Sequence, residues 1–181
     1  MKKRAAGALL LAVCMASQAE PVPQELASQV PQAALSGQAT MRFLGFEIYR
    51  ASLWVAPGFA GANYAQNKFA LELRYLRNFQ GADIAKRSIV EMRRQDGFDA
   101  QLAPQWEQQM RALFPNVQTG DRITGVHLPG TGAEFYGNGK LLGEIRDPLF
   151  ARLFFGIWLS PQTSEPALRK DLLIQANGAA R

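Results

Sequence analysis

Cysteine and histidine are almost absent from this chain, and their scarcity excludes several kinds of chemistry. The 181 residues include one cysteine, Cys14, and one histidine, His127. A zinc site needs several such ligands, and a disulfide or a thiolate nucleophile needs cysteine in the folded domain. Residues 129–132, Pro-Gly-Thr-Gly, lack the Gly-Lys-Ser/Thr that follows in a phosphate-binding loop. We therefore expect no metal and no cofactor.

His127 itself lies between Val126 and Leu128 in a strand pattern. A lone histidine in such a pattern indicates a structural role rather than a catalytic one. A serine–histidine–carboxylate site would have to use this residue, and no motif in the sequence supports one.

Long apolar runs are absent too, and the short one at residues 8–16 has the setting of a secretory signal peptide. Lys2, Lys3 and Arg4 precede it, and Ser17-Gln18-Ala19 follows it. Its length is far below the roughly 20 residues that span a bilayer. We predict that residues 1–19 are a signal peptide cleaved after Ala19, that the protein is periplasmic, and that it has no transmembrane segment.

The excess of basic residues is small once this leader is removed. The chain has 20 Lys+Arg against 15 Asp+Glu, and removal of Lys2, Lys3 and Arg4 leaves 17 against 15, a net charge of +2. No basic patch remains, so we do not expect nucleic acid as a partner.

The rest of the chain reads as an arm, residues 20–38, followed by one domain, residues 39–181. Prolines and small residues dominate the arm, but its apolar Leu26, Val30 and Leu35 are expected to order part of it against the domain.

The domain opens with residues 40–55, which are dense in β-branched and aromatic residues and predict a strand. Gly45 interrupts this strand, and an isolated glycine indicates a bulge or a tight bend. Residues 69–75 alternate and predict a half-buried strand. Its inward side chains are Phe69, Leu71, Leu73 and Tyr75.

Helical periodicity then begins at residues 82–94. A second helix is predicted with Asp99 as its N-cap, a third opens at Asp147-Pro148, and a fourth covers residues 166–173 with Ser164 as its cap. Between the second and third helices, residues 122–128 and a hairpin around Asn138-Gly139 predict further strands. This order indicates an α+β fold with an antiparallel sheet and helices packed on one face.

Arg42 and Tyr49 stand out from their apolar surroundings. Arginine offers a planar fork of donors that matches a carboxylate, and a tyrosine hydroxyl adds a further hydrogen bond. In an apolar cavity, such a pair would hold the head group of a long acid. The alternative is a structural salt bridge from Arg42 to an internal carboxylate such as Glu72 or Glu134. Because positions 42 and 49 have opposite parity, they converge only if Gly45 bends the strand.

Two segments carry further landmarks. Residues 37–55 read GQATMRFLGFEIYRASLWV, and residues 119–159 carry G-D, N-G-K, D-x-x-F and I-W-L in order. Together they resemble the chalcone isomerase-like family, particularly its bacterial exported branch, and the resemblance covers about residues 35–173. It implies an open-faced β-sandwich, in which an antiparallel sheet is packed by a layer of helices with a ligand cleft between them.

The family that the chain resembles contains plant enzymes that close a chalcone into a flavanone and non-enzymatic relatives that bind fatty acids. Both use an arginine near the first strand, which matches Arg42, and a hydroxyl residue further along, which matches Tyr49. The fatty-acid binders have tyrosine at that position, whereas the enzymes have threonine. The interval from Arg42 to Tyr49 is shorter here than in those relatives.

The resemblance also implies that chalcone cyclisation is lost. The enzymes' tyrosine, lysine and asparagine, on the helix after the second strand, would fall near Ile84, Arg87 and Glu91. The tyrosine is gone, Arg87 keeps only the charge, and Glu91 brings a negative charge in place of a neutral amide. Most of the electrostatic stabilisation of a phenolate would go with them.

We therefore predict a non-catalytic member that binds a fatty acid or a similar small amphipathic carboxylate. The predicted ligand-binding residues are Arg42, Tyr49, Ile84 and Arg87. The predicted apolar wall is formed by Ile84, Met92, Trp106 and Phe154.

Two alternatives stay open. One is a periplasmic protein-interaction module whose cleft is filled by its own side chains, for which a large exposed patch near Trp54 or Trp158 would be the sign. The other is an isomerase- or lyase-type enzyme of unknown substrate, which needs a cleft where Arg42, Tyr49 and a titratable group such as Glu91 converge. A protein partner is left open in either case.

Overall fold

A six-stranded antiparallel sheet forms the centre of the chain. The computed structural model describes residues 22–178, so the predicted signal peptide lies outside the described residues. The strands follow one another across the sheet in chain order. They are β1 (Ala34–Phe43), β2 (Phe46–Val55), β3 (Phe69–Tyr75), β4 (Arg122–Leu128), β5 (Gly132–Gly137) and β6 (Lys140–Ile145). The predicted α+β class with an antiparallel sheet is confirmed.

The longer helices cover one face of this sheet, and a short one lies on the other face. They are α1 (Leu26–Gln29), α2 (Gly81–Met92), α3 (Ala103–Leu113), α4 (Pro148–Leu159), α5 (Pro166–Leu172) and α6 (Ile174–Gly178), with a 3₁₀ helix at Gly61–Gln66. Of these, α4 is the most apolar and packs on β4 and β5. Under it lies the main core, which contains the four predicted inward residues of β3. None of the described helices is long and apolar enough to cross a membrane.

The opposite face of the sheet is also covered at its centre, which was not predicted. Leu26 in α1 and Val30 just after it pack against Trp54, Ala70 and Val126. The arm is therefore ordered against the domain through two of its apolar residues, as expected. The half-buried prediction for β3 is wrong, because this second cluster buries its other face as well.

The first strand begins at Ala34 rather than at residue 40, and so includes part of the predicted arm. The small residues there predict an arm, but their size is required where β1 meets α5. The hydroxyl of Ser36 donates to the carbonyl oxygen of Leu172 at 3.0 Å. A Cβ added at Gly37 would lie 2.0 Å from the carbonyl oxygen of Asp171.

The predicted bend at Gly45 is a two-residue hairpin turn. Leu44 and Gly45 have φ values of 49° and 81°, and two positive values in sequence give the turn whose twist matches the flanking strands. Residues 40–55 therefore form the end of β1, a turn and β2. The second predicted hairpin is confirmed, with φ values of 49° and 82° at Asn138 and Gly139.

The predicted start of α4 is also confirmed. The Asp147 carboxylate accepts hydrogen bonds from the backbone N–H groups of Leu149 at 2.8 Å and Phe150 at 3.0 Å. Pro148 occupies the first helical position, where its missing N–H is not needed.

The predicted caps Asp99 and Ser164 are wrong. Asp99 belongs to a turn before its helix, and a different residue precedes the other helix. The carboxylate of Asp99 accepts from the N–H of Gln101 at 2.8 Å in a turn that precedes α3. Glu165, rather than Ser164, is the residue before α5, and its N–H donates to the hydroxyl of Thr163 at 3.1 Å.

Candidate ligand-binding cleft

An apolar cleft of about 350 Å³ opens between the sheet and the helices. Strands β1 to β4 form one wall, and α2, α4 and the residues before α5 form the other. The sheet contributes Met41, Phe43, Tyr49, Leu73 and Tyr75, among others. These residues have inward parity on adjacent strands, because Tyr49 pairs with Met41 on one side and with Tyr75 on the other.

Tyr49 supplies a hydroxyl inside this cleft. The indole N–H of Trp158, on α4, donates a hydrogen bond to the Tyr49 oxygen at 3.0 Å. Burial raises the pKa of the Tyr49 hydroxyl to about 12, although the bond from Trp158 opposes the shift. The phenol is therefore neutral in ordinary buffers, and its own hydrogen remains free to be donated.

Arg87 and Glu91 form a second polar group on α2. They are one helical turn apart, and a guanidinium Nη2 of Arg87 contacts a carboxylate oxygen of Glu91. Arg94 approaches the other oxygen of Glu91 at 3.9 Å. Arg87 and Glu91 line the same cleft as Tyr49, and both contribute to the electrostatic field that acts on the pKa of its hydroxyl.

Arg42 does not lie in the cleft. It is on β1 between Met41 and Phe43, which both line the cleft, and alternation along the strand turns it the other way. Its side chain is 62% exposed and forms an ion pair with Glu47. The bend at Gly45 reverses the chain instead of rotating it, so Arg42 and Tyr49 do not converge. The predicted placement of Arg42 at the head group is wrong for this reason.

The alternative partners considered for Arg42 are engaged elsewhere. Glu72, on the face of the sheet opposite the cleft, accepts from Arg122 at 2.9 Å, and the same guanidinium donates to Glu25 at 3.0 Å. Glu134 accepts from the hydroxyl of Tyr136 at 2.9 Å. Arg42 therefore forms a salt bridge within the protein, as the alternative predicted. Its partner is the surface residue Glu47 rather than Glu72 or Glu134.

The predicted apolar wall is half right. Ile84 and Phe154 line the cleft. Met92 and Trp106 do not, because their helix positions turn them into the main core, where both are buried. Ile84, Arg87 and Glu91 line the cleft together, on the face of α2 where the resemblance places the enzymes' polar residues.

Three further groups in the cleft were not predicted as site residues. Tyr75 is the last residue of β3, and burial raises the pKa of its hydroxyl above the ordinary value. The alternation along β3 predicts that Tyr75 faces inward. It does not predict which residues lie beside Tyr75 in the cleft, because they belong to other strands and helices. Asp83 and Glu165 also line the cleft. Folding brings the start of α5 beside α2, and no local pattern indicates that.

His127 is structural, in line with the sequence analysis. Its ring stacks on Phe69 with 4.9 Å between centroids, and Nδ1 lies 2.7 Å from the carbonyl oxygen of Asn67. Burial lowers the pKa of this imidazole. Residues 22–178 contain no group of three or more His, Cys, Asp or Glu side chains that is arranged to hold a metal ion.

The structure also bears on the two alternatives. Trp54 and Trp158 are both buried, so neither forms the exposed patch that a filled interaction module would need. Tyr49 and Glu91 converge in the cleft as the enzyme alternative requires, but Arg42 does not join them.

Solved structures with this arrangement include a fatty-acid binding protein of Arabidopsis thaliana. Its crystal structure matches with a TM-score of 0.63 at 12% sequence identity, over 83% of this chain and 91% of that chain. A likeness at this identity establishes the fold, including the open sheet packed by helices.

Sequence comparison gives the family. An uncharacterized protein of Haemophilus influenzae is 29% identical over 142 residues, which are 76% of this chain and 66% of that protein, slightly under two thirds of its length. The chalcone isomerase-like family matches residues 18–174. That match spans most of the chain, and the chain therefore belongs to the chalcone isomerase-like family.

Proposed function

We propose that this protein binds a fatty acid or a similar small amphipathic carboxylate in the cleft, and that it does so without catalysis. The observation that carries the proposal is an apolar cavity of about 350 Å³ with a guanidinium and a phenol among its lining groups. Ligand pockets start at about 300 Å³ and combine apolar walls with a few polar groups. The volume favours a short or partly inserted acyl chain.

The head group is assigned to Arg87 and Tyr49 rather than to Arg42. Arg87 has donors to spare beside its bond to Glu91, because a guanidinium carries five N–H groups. The Tyr49 hydroxyl accepts a hydrogen bond from Trp158 and keeps its own hydrogen for a ligand. A carboxylate there would receive one charged and one neutral hydrogen bond.

A bound carboxylate would compete with Glu91 for Arg87. Glu91 keeps Arg94 nearby when Arg87 turns toward the ligand, so its charge is not left without a cation. Asp83 and Glu165 also line the cleft and disfavour an anion. Arg87 is therefore the residue on which the preference for an acid depends.

The absence of catalysis rests on the residues around that head group. Ile84 stands where the family's enzymes are expected to have a tyrosine, and it offers no proton. The phenol of Tyr49 has a pKa near 12, which suits a hydrogen-bond donor and not a general base at neutral pH.

Export to the periplasm is a separate part of the proposal, supported by the first 19 residues of the sequence. The mass of the protein isolated from the cell envelope tests it. A mature chain that begins at Glu20 would agree with cleavage after Ala19, and an intact leader would refute it.

The binding proposal is tested by native mass spectrometry of the protein purified from the envelope, followed by solvent extraction and titration with added fatty acids. Arg87→Met is compared with wild type. Arg111→Met is the matched control, because Arg111 also pairs with a glutamate one turn away, on α3 and outside the cleft. Loss of a charged hydrogen bond, about 1.5–3 kcal/mol, should weaken binding about 10- to 150-fold in Arg87→Met only.

Three outcomes are informative. Acid retained by wild type and Arg111→Met, but not by Arg87→Met, would support the carrier and its head group. Equal retention by all three would place the acid elsewhere. A wild type that is empty and takes up no added fatty acid would refute the carrier, and a protein partner would become the better hypothesis.

A further inference from the structure

The turn between β1 and β2 exposes large apolar side chains to solvent. We call Phe43, Leu44 and Phe46 the hairpin tip; their exposed fractions are 55%, 81% and 55%. Gly45 lies between them at the turn. Most large apolar side chains of the described residues are buried, so three exposed ones on four consecutive positions form an unusual cluster.

The fold does not require a leucine at position 44. Its φ of 49° is in the left-handed region, where a leucine is strained and asparagine or glycine is preferred. Its side chain is also the most exposed of the tip, so it gains little from packing. A strained backbone that presents an apolar side chain to solvent indicates a role outside the fold itself.

Two arginines flank the hairpin tip. The guanidinium of Arg77 lies 4.2 Å from the centroid of the Phe46 ring. Arg42 lies next to Phe43 and pairs with Glu47 at the surface. Apolar side chains bordered by basic ones are the pattern of segments that insert at a lipid–water interface, where the cations remain at the level of the head groups.

The hairpin tip is also the edge of the cleft. Phe43 and Met41 line the cleft, whereas Leu44 and Phe46 extend beyond it. The three tip side chains expose on the order of 300 Å². A specific protein interface needs about 800 Å² from each partner, so a second copy of this chain would not be held by the tip alone.

We propose that the hairpin tip inserts into the surface of a lipid bilayer, with Leu44 and Phe46 among the acyl chains and Arg42 and Arg77 at the head groups. Docked in this way, the mouth of the cleft faces the membrane. An acid could then pass between bilayer and cleft without crossing water. This last consequence rests on the proposed function, but the docking does not.

The test is co-sedimentation of the mature protein, residues 20–181, with vesicles of phosphatidylethanolamine and phosphatidylglycerol that contain no fatty acid. Leu44→Asn and Phe46→Ser each remove one inserted side chain and should weaken vesicle binding about tenfold. Leu44→Asn should also keep or raise the melting temperature, because asparagine suits this turn. Leu141→Asn is the control: Leu141 is 63% exposed on β6, at the opposite edge of the sheet.

Wild-type binding that Leu141→Asn preserves and the two tip variants lose would support the docking. Equal binding by wild type and Leu44→Asn would overturn it, as would equal losses in Leu141→Asn. A wild type that does not sediment would overturn it too, and would leave the tip to a protein partner. Uptake of fatty acid from solution by the tip variants, measured without vesicles, separates this result from failure of the cleft.

Discussion

The hydrogen bond between Trp158 and Tyr49 is the contact in the cleft whose energy is most directly measurable. The two groups are 3.0 Å apart, and they join β2 to α4 across the sheet–helix boundary. Tyr49→Phe removes the acceptor and leaves the ring in place. The indole N–H of Trp158, on a residue that is buried, would then have lost its partner.

The expected cost follows from that lost partner. A buried donor that is left unsatisfied costs about 1–3 kcal/mol, so Tyr49→Phe should lower the free energy of unfolding by about 2 kcal/mol. Trp158→Phe removes the donor and also part of a buried ring, and should cost about 2–4 kcal/mol. In the double variant no polar group is left unpaired there. The double variant should therefore lose less free energy of unfolding than the sum of the two single variants, by about 1–2 kcal/mol.

Urea unfolding at neutral pH, followed by circular dichroism, measures all four proteins. The slopes of free energy against urea should agree, so that the midpoints report stability alone. A second cycle with Tyr49→Phe and Trp106→Phe is the control. The indole of Trp106 donates to Asp147 at 2.8 Å and shares no hydrogen-bond partner with Tyr49.

The test is whether the losses in free energy of unfolding from the two single substitutions add up to the loss in the double variant. Independent sites add within about 0.5 kcal/mol, and the control cycle should behave in that way. If the Tyr49–Trp158 cycle were equally additive, the two groups would not be coupled in solution. The inference that Trp158 fixes the Tyr49 hydroxyl for a ligand would then be refuted.

Three further predictions concern stability. Because the pKa of Tyr49 is raised from 10 to about 12, its contribution of about 3 kcal/mol is complete below pH 10 and should be lost as the pH rises to 12; a stability curve that is flat over this range in wild type would contradict the burial argument. Gly37→Ala should destabilise by more than 2 kcal/mol in urea unfolding, because its Cβ would overlap the carbonyl oxygen of Asp171 at 2.0 Å; a loss below 0.5 kcal/mol would mean that α5 moves away freely. Arg122→Met should cost about 3 kcal/mol, since it removes the nearer cation from the buried Glu72, which keeps only the half-exposed Arg74 at 3.5 Å; adding Glu72→Gln to it should recover part of that loss, and no recovery would argue against the ion pair.

Local signals in the sequence predicted local structure well. Asp147 caps α4 and Asn138 turns the β5–β6 hairpin, and in both cases the residues that interact lie within three positions of each other. Alternation also located the inward side of β3. The second buried face of β3 was missed because its cover, α1, lies more than 40 residues away in the chain. Gly37 was assigned to the arm for a similar reason, since the helix that requires its small size is α5.

In the candidate site too, residues close together on one element were placed correctly from the sequence, and residues separated by a turn were not. Ile84, Arg87 and Glu91 are spaced by three and four positions on one helix, so they share a face wherever the helix packs. Their common placement in the cleft could therefore be predicted from the sequence of α2 alone. In a hairpin, one residue more or less between two positions reverses the face of every side chain beyond it. Arg42 and Tyr49 are separated by such a turn, and alternation along β1 places the arginine outside the cleft. Arg87, whose position depends on helical spacing alone, is for that reason the arginine on which acid binding should depend.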